Sequence, residues 1–496
     1  MRRQVRFVHD GALVTLNDVD PTRTVLQYLR EDINQTGTKE GCAEGDCGAC
    51  MVVIAEPDDN DDSRQLRYRA VNACIQFVAT LDGKELITVE SLSQRHEPLH
   101  PAQQAMVDTH ASQCGFCTPG FVMSLFALYK HGHKPARNDI DDALSGNLCR
   151  CTGYRPIVDA ATQMLATPAK STVRHWQPDS GTHDAATLEQ LRALDDGSAL
   201  HTRADERHFV APRTVAELAR EYTAHPDATL LAGGTDVGLW VTKQYRELER
   251  VIYVGNVAEL NIITRTATSL DIGAAVTFSD LAPTLLSLYP TLTDLIRRWA
   301  STPVRNAATL GGNIANGSPI GDSMPALIAL GTTLTLQCGE NTRTLALEAL
   351  YHDYQVNDLQ PGEFVAHIHV PLPTDGLHVR SYKLSKRFDQ DISAVCAGFA
   401  IQLDTNSHVR ECRLAFGGVA GIPIRATRCE SLLQGQPFDE AHVRRAMQCL
   451  RDEFTPLTDM RASADYRRTS AANLLYRLFI EITQPEVATD VYNFAR

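Results

Sequence analysis

Eight of the thirteen cysteines lie between Cys42 and Cys151, in two groups of four with unequal spacing. Cys42, Cys47, Cys50 and Cys74 read C-x4-C-x2-C followed by a distant fourth cysteine, the spacing of a plant-type [2Fe–2S] centre. Cys114, Cys117, Cys149 and Cys151 make a C-x2-C and a C-x-C pair separated by thirty-one residues. Four thiolates suit a soft metal and leave it closed to substrate, so the chemistry on offer is electron carriage or structural metal binding. For the first group the glycine-rich loop favours the ferredoxin pattern over paired zinc knuckles. For the second, spacing alone leaves structural zinc open. A disulfide framework does not suit so long a chain without a secretory signal.

The elements that must position these thiols can be read around them. Val5 to Val8 and Ala12 to Leu16 alternate about the turn signal His9-Asp10-Gly11, a β-hairpin. Asp20-Pro21-Thr22-Arg23-Thr24 leads into Val25, Leu26 and Leu29, a capped helix. Ala49 to Ile54 and Arg67 to Val78 read as strands closing a β-grasp ferredoxin domain over residues 1–92. Residues 93–166 turn helical, at Pro119 to Tyr129, Ile140 to Leu144 and Ile157 to Met164. Both cysteine pairs then stand just before helices, whose N-terminal N–H groups favour an anionic cluster. Residues 167–205 are rich in Ser, Thr, Asp, His and Pro and read as a linker, with one short helix at Leu188 to Leu194. Beyond it comes an α/β pattern over 206–379, opening with a helix at Thr214 to His225 and a strand at Thr229 to Ala232. Residues 380–496 read as α+β, with strands at Ala394 to Leu403 and Val409 to Phe416, then helices at Asp439 to Asp452 and Ser463 to Ile480.

A chain of 496 residues exceeds one core, and 43% hydrophobic with 22% charged residues is ordinary globular composition. No apolar run is long enough to span a bilayer, and Met1 to Val8 passes straight into a strand pattern, which predicts a cytoplasmic protein. A net charge of -13 argues against nucleic acid as a partner. Cys338, Cys396, Cys412, Cys429 and Cys449 stand singly and read as small packed side chains.

Leu230-Leu231-Ala232-Gly233-Gly234-Thr235-Asp236-Val237 runs from a strand into a loop able to present backbone N–H groups to a pyrophosphate, with no Cβ at the glycines to obstruct it. Gly-Gly turns are common, and neither a Rossmann fingerprint nor a P-loop is present. Ser301 to Ile314, continuing Ser318-Pro319-Ile320-Gly321-Asp322, adds glycines and polar side chains suited to a polar ligand, or to a loop that satisfies itself. Asp389-Gln390-Asp391-Ile392 is a short acidic run that a solvated surface would also explain.

Taken together, Gly41 to Cys50, Gln113 to Gly120, Asn147 to Ile157, the two glycine stretches and Leu414-Ala415-Phe416-Gly417-Gly418-Val419-Ala420 resemble the small iron–sulfur and flavin subunit of bacterial xanthine dehydrogenases, within the molybdenum hydroxylase family. The resemblance implies a multidomain α+β architecture: ferredoxin domain, helical [2Fe–2S] domain, FAD-binding domain of the vanillyl-alcohol-oxidase (PCMH) type over 206–379, and a CO dehydrogenase flavoprotein-like domain over 380–496. It implies that all eight cysteines hold two [2Fe–2S] clusters. It also implies that residues 230 to 237 hold the FAD pyrophosphate, that Thr309, Asn313 and Asp322 contact phosphate, ribityl or ribose groups, that Trp299 and Val365 flank the adenine, and that Lys383 reaches the cofactor. Relatives carry Phe, Leu and Asn where this chain has Trp299, Val365 and Gly234.

By the same resemblance Asp389 and Asp391 lie beside the flavin, tuning it and governing access of nicotinamide, while Gln113 hydrogen-bonds molybdopterin carried by a large partner subunit. The implied assembly is two small and two large chains, with the helical cluster domain facing the partner. The implied activity is oxidation of xanthine or hypoxanthine with NAD+ as acceptor, the purine chemistry residing on the partner. An aldehyde- or heterocycle-oxidising relative and a zinc-binding scaffold are the alternatives. Modular domains would let Cys50→Ser remove one cluster and leave FAD bound.

Overall fold

A computed structural model describes residues 2–58, 65–93, 98–131, 135–166 and 181–489. The chain divides into two compact units, residues 1–258 with 300–308, and residues 259–299 with 309–496.

In the first unit, β1 (Val5–His9) and β2 (Ala12–Leu16) form the expected hairpin. Asp10 and Gly11 both take positive φ, the two-residue turn whose twist matches paired strands. Thr24 and Gln27 make a reciprocal capping box on α1 (Val25–Gln27), which widens into a π turn at Tyr28–Asp32. With β3 (Met51–Pro57), β4 (Leu66–Asn72) and β5 (Glu85–Ile87) the sheet order is β2-β1-β5-β3-β4, β1 and β5 running parallel. This is the β-grasp arrangement that the hairpin, helix and cysteine loop imply.

Four helices follow: α2 (Pro101–Asp108), α3 (Thr118–Lys130), α4 (Arg137–Leu144) and α5 (Arg155–Ala166). Residues Gly120 to Tyr129 of α3 are buried all round, because one side meets the other helices and another meets β3 and β4. Phe126 sets its ring edge-on to Tyr68, centroids 6.2 Å apart.

Of the expected linker, residues 167–180 lie outside the described residues. From Gly181 onward the expectation of a spacer needs correction. Helix α6 (Gly181–Leu194) packs Leu188, Leu191 and Leu194 into the core shared by α3 and β3. Strand β6 (Leu200–Ala204) then joins β7 (Arg207–Ala211), β8 (Thr229–Leu231) and β9 (Arg250–Tyr253) in the order β6-β7-β9-β8. The short helix expected at Leu188 to Leu194 is the second half of α6, its leucines recurring every third residue at helical spacing. Helices α7 (Val215–Ala224), capped by Thr214, and α8 (Val237–Thr242) flank β8.

In the second unit β10 (Ile263–Arg265), β11 (Ser269–Gly273), β12 (Thr333–Cys338), β13 (Asn341–Ala346) and, after the small pair β14 (Tyr351–Asp353) and β15 (Val356–Asn357), β16 (Phe364–Pro371) form one antiparallel sheet, order β10-β11-β16-β12-β13. A second sheet runs β17 (Leu377–Leu384), β18 (Val395–Leu403), β19 (Val409–Gly417) and β20 (Ile424–Arg425). Helices α9 (Phe278–Leu288) and α10 (Thr293–Arg298) lead to Trp299. The next helix, α11 (Thr302–Ala307), belongs to the first unit, after which α12 (Leu310–Asn316) and α13 (Ser323–Ala329) return to the second. The stretch Ser301 to Asp322, which in sequence reads as one loop, is thus shared between units. Helices α14 (Thr427–Leu433), α15 (Glu440–Glu453) and α16 (Ala464–Thr483) cover the C-terminal sheet. Cys396, Cys412 and Cys429 are buried as expected of packed side chains, while Cys338 and Cys449 are only half-buried.

Where sheet, α3 and α6 meet, the core holds charge. Lys130 Nζ lies 3.2 Å from Asp184 and over the Tyr68 ring, and Tyr68 donates to Asp184 at 2.7 Å. Glu85 on β5 is 1% exposed. Burial pushes its carboxyl up to about 8, with the charges of Asp184 and Asp10 adding and Lys130 opposing. The folded state therefore binds this proton more tightly than the unfolded chain does, so its stabilising contribution is whole below the ordinary value of 4.5 and is lost as pH rises to about 8. Glu85→Gln should flatten the fall in stability across that window, measured as urea midpoints from pH 5 to 9. An unchanged slope would place the titration elsewhere.

Candidate functional site

The first thiol group is built from Cys42, Cys47 and Cys50 on the loop that precedes β3 and from Cys74 just after β4. Cys42 Sγ accepts the N–H groups of Glu44 at 3.4 Å and Cys47 at 3.3 Å, and Cys47 Sγ accepts that of Cys42 at 3.3 Å. Hydrogen bonding to Cys47 and then to Cys74 drives the Cys42 thiol far down in pKa, while the same contacts drive Cys47 and Cys74 far up. Thiols gathered in this way suit a centre that takes them as thiolates. Backbone N–H groups aimed at sulfur are what an anionic cluster needs. The donor set therefore fits a [2Fe–2S] centre.

The second group sits as expected before two helices, Cys117 at the N-cap of α3 and Cys151 four residues before α5. Cys149 Sγ meets the Thr152 hydroxyl at 3.1 Å and its N–H at 3.5 Å. Burial opposes ionisation there, yet these two donors hold the Cys149 thiol below its usual range. Cys117, close to Cys149, is pushed up to about 12 by burial first and by that neighbour second. Cys114 and Cys151 pair on the exposed side. Among the described residues no group of three or more His, Cys, Asp or Glu is arranged to hold a single metal ion.

The two cysteine loops touch through their backbones. Leu148 N–H donates to the Cys47 carbonyl at 3.0 Å, joining a residue of the first group to the neighbour of Cys149 in the second. Gly48, at φ +69°, has no room for a side chain, since a Cβ would strike the Gly146 carbonyl and come within 2.6 Å of Asn147 Nδ2. Asn147 accepts from Ser124 on α3 at 2.7 Å and reaches back toward the Gly48 carbonyl at 3.4 Å. Asn147 is a positioning residue that the sequence does not single out, although it opens the Asn-Leu-Cys-Arg-Cys run. Gln113, Cys114, Phe116, Leu148, Cys151 and Tyr154 are exposed around the second group, Phe116 at 47%.

The loop expected to hold a pyrophosphate follows β8. The N–H groups of residues 233 to 236 make no hydrogen bond to a described residue, which leaves successive donors for a pyrophosphate. The glycines have a second cause that the sequence does not reveal. A Cβ on Gly233 would fall on the Ala307 carbonyl, and one on Gly234, at φ +73°, would lie 2.9 Å from the Ile75 carbonyl. Their bareness faces protein.

In the second unit, Thr309 caps α12 by accepting from Gly312 N–H at 3.0 Å, and Asn313 accepts from Ser323 at 2.6 Å. Asp322 and Lys383 form a buried ion pair, Nζ to Oδ2 2.6 Å, and Ser393 donates to the other carboxylate oxygen at 2.6 Å. Lys383 is thus committed first to Asp322. Trp299 is buried, its ring 3.6 Å from that of Phe278, and Val365 is buried on β16. The acidic run is held from below by Arg298, which donates to the Lys383 carbonyl at 2.8 Å, the Phe388 carbonyl at 3.0 Å and the Ser385 hydroxyl at 3.2 Å. Asp391 accepts from Arg387 N–H at 2.8 Å, and despite burial this holds its carboxyl below the usual range. Nothing in the sequence distinguishes Arg298 from a surface arginine.

Four segments match family models: residues 7–79 a 2Fe–2S iron–sulfur cluster binding domain, 88–162 a [2Fe–2S] binding domain, 203–373 the FAD binding domain in molybdopterin dehydrogenase, and 380–482 the CO dehydrogenase flavoprotein C-terminal domain. The chain therefore carries the two iron–sulfur domains, the FAD-binding domain and the C-terminal flavoprotein domain found in the small subunits of molybdenum hydroxylases. It is 32% identical over 96% of its length to xanthine dehydrogenase of Emericella nidulans, and 28% identical over 97% to aldehyde oxidase 1 of Rattus norvegicus. It spans 38% and 40% of those relatives. A solved quinoline 2-oxidoreductase from Pseudomonas putida 86 is similar at 26% identity and TM-score 0.51, over 55% of this chain and 96% of that one. Among the described residues no helix is long and apolar enough to cross a membrane.

Gly48→Ala should disrupt both thiol groups at once, because the clash is with the loop that carries Cys149. Iron and acid-labile sulfide per chain should fall well below those of the parent. Retention of both cluster signals in electron paramagnetic resonance would show that the interlock is dispensable.

Proposed function

We propose that the chain is the electron-transfer subunit of a xanthine dehydrogenase, carrying electrons from a molybdenum centre on a partner subunit to NAD+. The overall reaction takes xanthine, NAD+ and water to urate, NADH and a proton, or hypoxanthine, NAD+ and water to xanthine, NADH and a proton. The observation that carries this reading is the Leu148 to Cys47 hydrogen bond, which joins the two cysteine loops within the unit that also bears residues 230 to 237. When bound, the clusters pass electrons singly and FAD gathers them into the pair that nicotinamide requires.

The chain's own residues orient and tune. Residues 230 to 237 would offer N–H groups to the FAD pyrophosphate, and Thr309, Asn313 and Asp322 would meet its polar groups. Lys383 would fix Asp322, and Trp299 and Val365 would supply apolar contact to the adenine. Arg298 would hold the loop bearing Asp389 and Asp391 at the acceptor side. Phe116, Leu148 and Tyr154, exposed beside Cys114 and Cys151, fit docking of a molybdopterin-binding large subunit, with Gln113 toward the pterin. Two copies of each chain in a cytoplasmic complex complete the proposal, since reduced thiols suit that compartment.

A second reading, an aldehyde- or heterocycle-oxidising enzyme, is favoured by the aldehyde oxidase and quinoline oxidoreductase likenesses. The complex co-purified with its partner should reduce NAD+ with xanthine. Oxidation of aldehydes or N-heterocycles with no xanthine-dependent NADH would select the second reading. Colourless protein holding zinc and no acid-labile sulfide would remove both.

A further inference from the structure

Ile75 follows the thiol of Cys74 directly and is 4% exposed. Three glycines make room for it. A Cβ on Gly45, inside the first cysteine loop, would lie 2.6 Å from Ile75 Cδ1. One on Gly238, in the first turn of α8, would lie 2.7 Å from Ile75 Cβ, and one on Gly234 would meet its carbonyl. Gly238 N–H closes back on the Gly234 carbonyl at 2.7 Å, so both sides of that turn rest on a single residue. Independently, the Thr242 hydroxyl at the other end of α8 donates to the Ala43 carbonyl at 2.7 Å, between Cys42 and Glu44. The Ile75 backbone is itself fixed from the cysteine side, its N–H donating to the Asn72 carbonyl at 3.2 Å and Asn72 Nδ2 donating to the Gly45 carbonyl at 3.1 Å.

We propose that the first cluster and the FAD-binding loop form one coupled binding unit, with Ile75 as the positioning residue through which occupancy of either site supports the other. Metal held by Cys74 would fix the backbone at 74 and 75, and Ile75 in turn packs the turn at 234 to 238, in which the N–H groups of residues 234 to 236 make no hydrogen bond to a described residue. By linkage the effect is reciprocal: if cluster occupancy raises FAD affinity, FAD raises retention of the cluster by the same factor. This rests on residues 230 to 237 holding FAD, and it replaces the expectation that Cys50→Ser would leave FAD untouched.

The test uses the full chain in its complex, stripped of flavin and titrated with FAD. Ile75→Ala should keep the iron and sulfide of both clusters and bind FAD more weakly, by about 5- to 150-fold if the coupling has the usual size. Ile75→Val should restore most of the affinity, and Thr242→Val, which leaves the core intact, should weaken FAD in the same direction. Cys74→Ser should lose FAD, whereas Cys151→Ser, on the exposed side of the second group, should not. Iron left in the first cluster at equilibrium with a chelator should fall when FAD is removed. Unchanged FAD affinity in Ile75→Ala, or in Cys74→Ser, overturns the coupling. A different failure marks the underlying reading: if Thr235→Asp, which sets a carboxylate among the N–H groups that make no hydrogen bond to a described residue, binds FAD as the parent does, the loop is not the FAD site.

Discussion

The contact on which the first unit depends is backbone against backbone. The Leu148 N–H meets the Cys47 carbonyl, Gly48 leaves room for the second cysteine loop to close on the first, and Gly120 lets α3 approach Gly48. A hydrogen bond of this kind contributes only about 1 kcal/mol net. Its importance is geometric: one spacing is set for eight thiols, and neither loop can shift without the other. The helix α3, buried on every side, then ties that junction to the ferredoxin sheet, and α6 closes over the same core.

Much of this is legible in the sequence because local rules apply. The hairpin at residues 5 to 16, the cap at Thr24 and the helices after Cys117 and Cys151 follow from turn residues, capping and period. The cysteine spacings by themselves distinguish two differently built centres. Relations between distant residues are what a sequence does not display. The leucines of α6 mark a short helix at 188 to 194, but polar neighbours conceal that it begins at Gly181, packs into the core and leads into an edge strand. The glycines at 233 and 234 suggest ligand approach, yet they also accommodate Ala307 and Ile75, residues remote in sequence. Family likeness points Lys383 toward the cofactor, and its partner Asp322 becomes visible only when β17 and α13 are brought together.

The buried charges of the two units contrast. Asp322 and Lys383 are matched in sign and further satisfied by Ser393. Glu85, with one carboxylate oxygen lacking a partner among the described residues, instead keeps its proton as burial demands. Removing one member of a matched buried pair leaves a charge stranded, which costs several kcal/mol, whereas a neutral acid tolerates its amide analogue.

The segment Ala300–Ala308 bears on how such a protein can be divided between genes. Asn306 donates to the Ala70 carbonyl at 2.9 Å, and Thr302 donates to the Asp142 carbonyl at 2.5 Å, so nine residues from deep in the chain complete the cluster-bearing unit. Within one polypeptide these contacts form at the high effective concentration that covalent linkage provides. A split after residue 258 would convert them into a bimolecular association that must be sustained by subunit abundance. An architecture of this design therefore favours synthesis of clusters and flavin site as a single translation product.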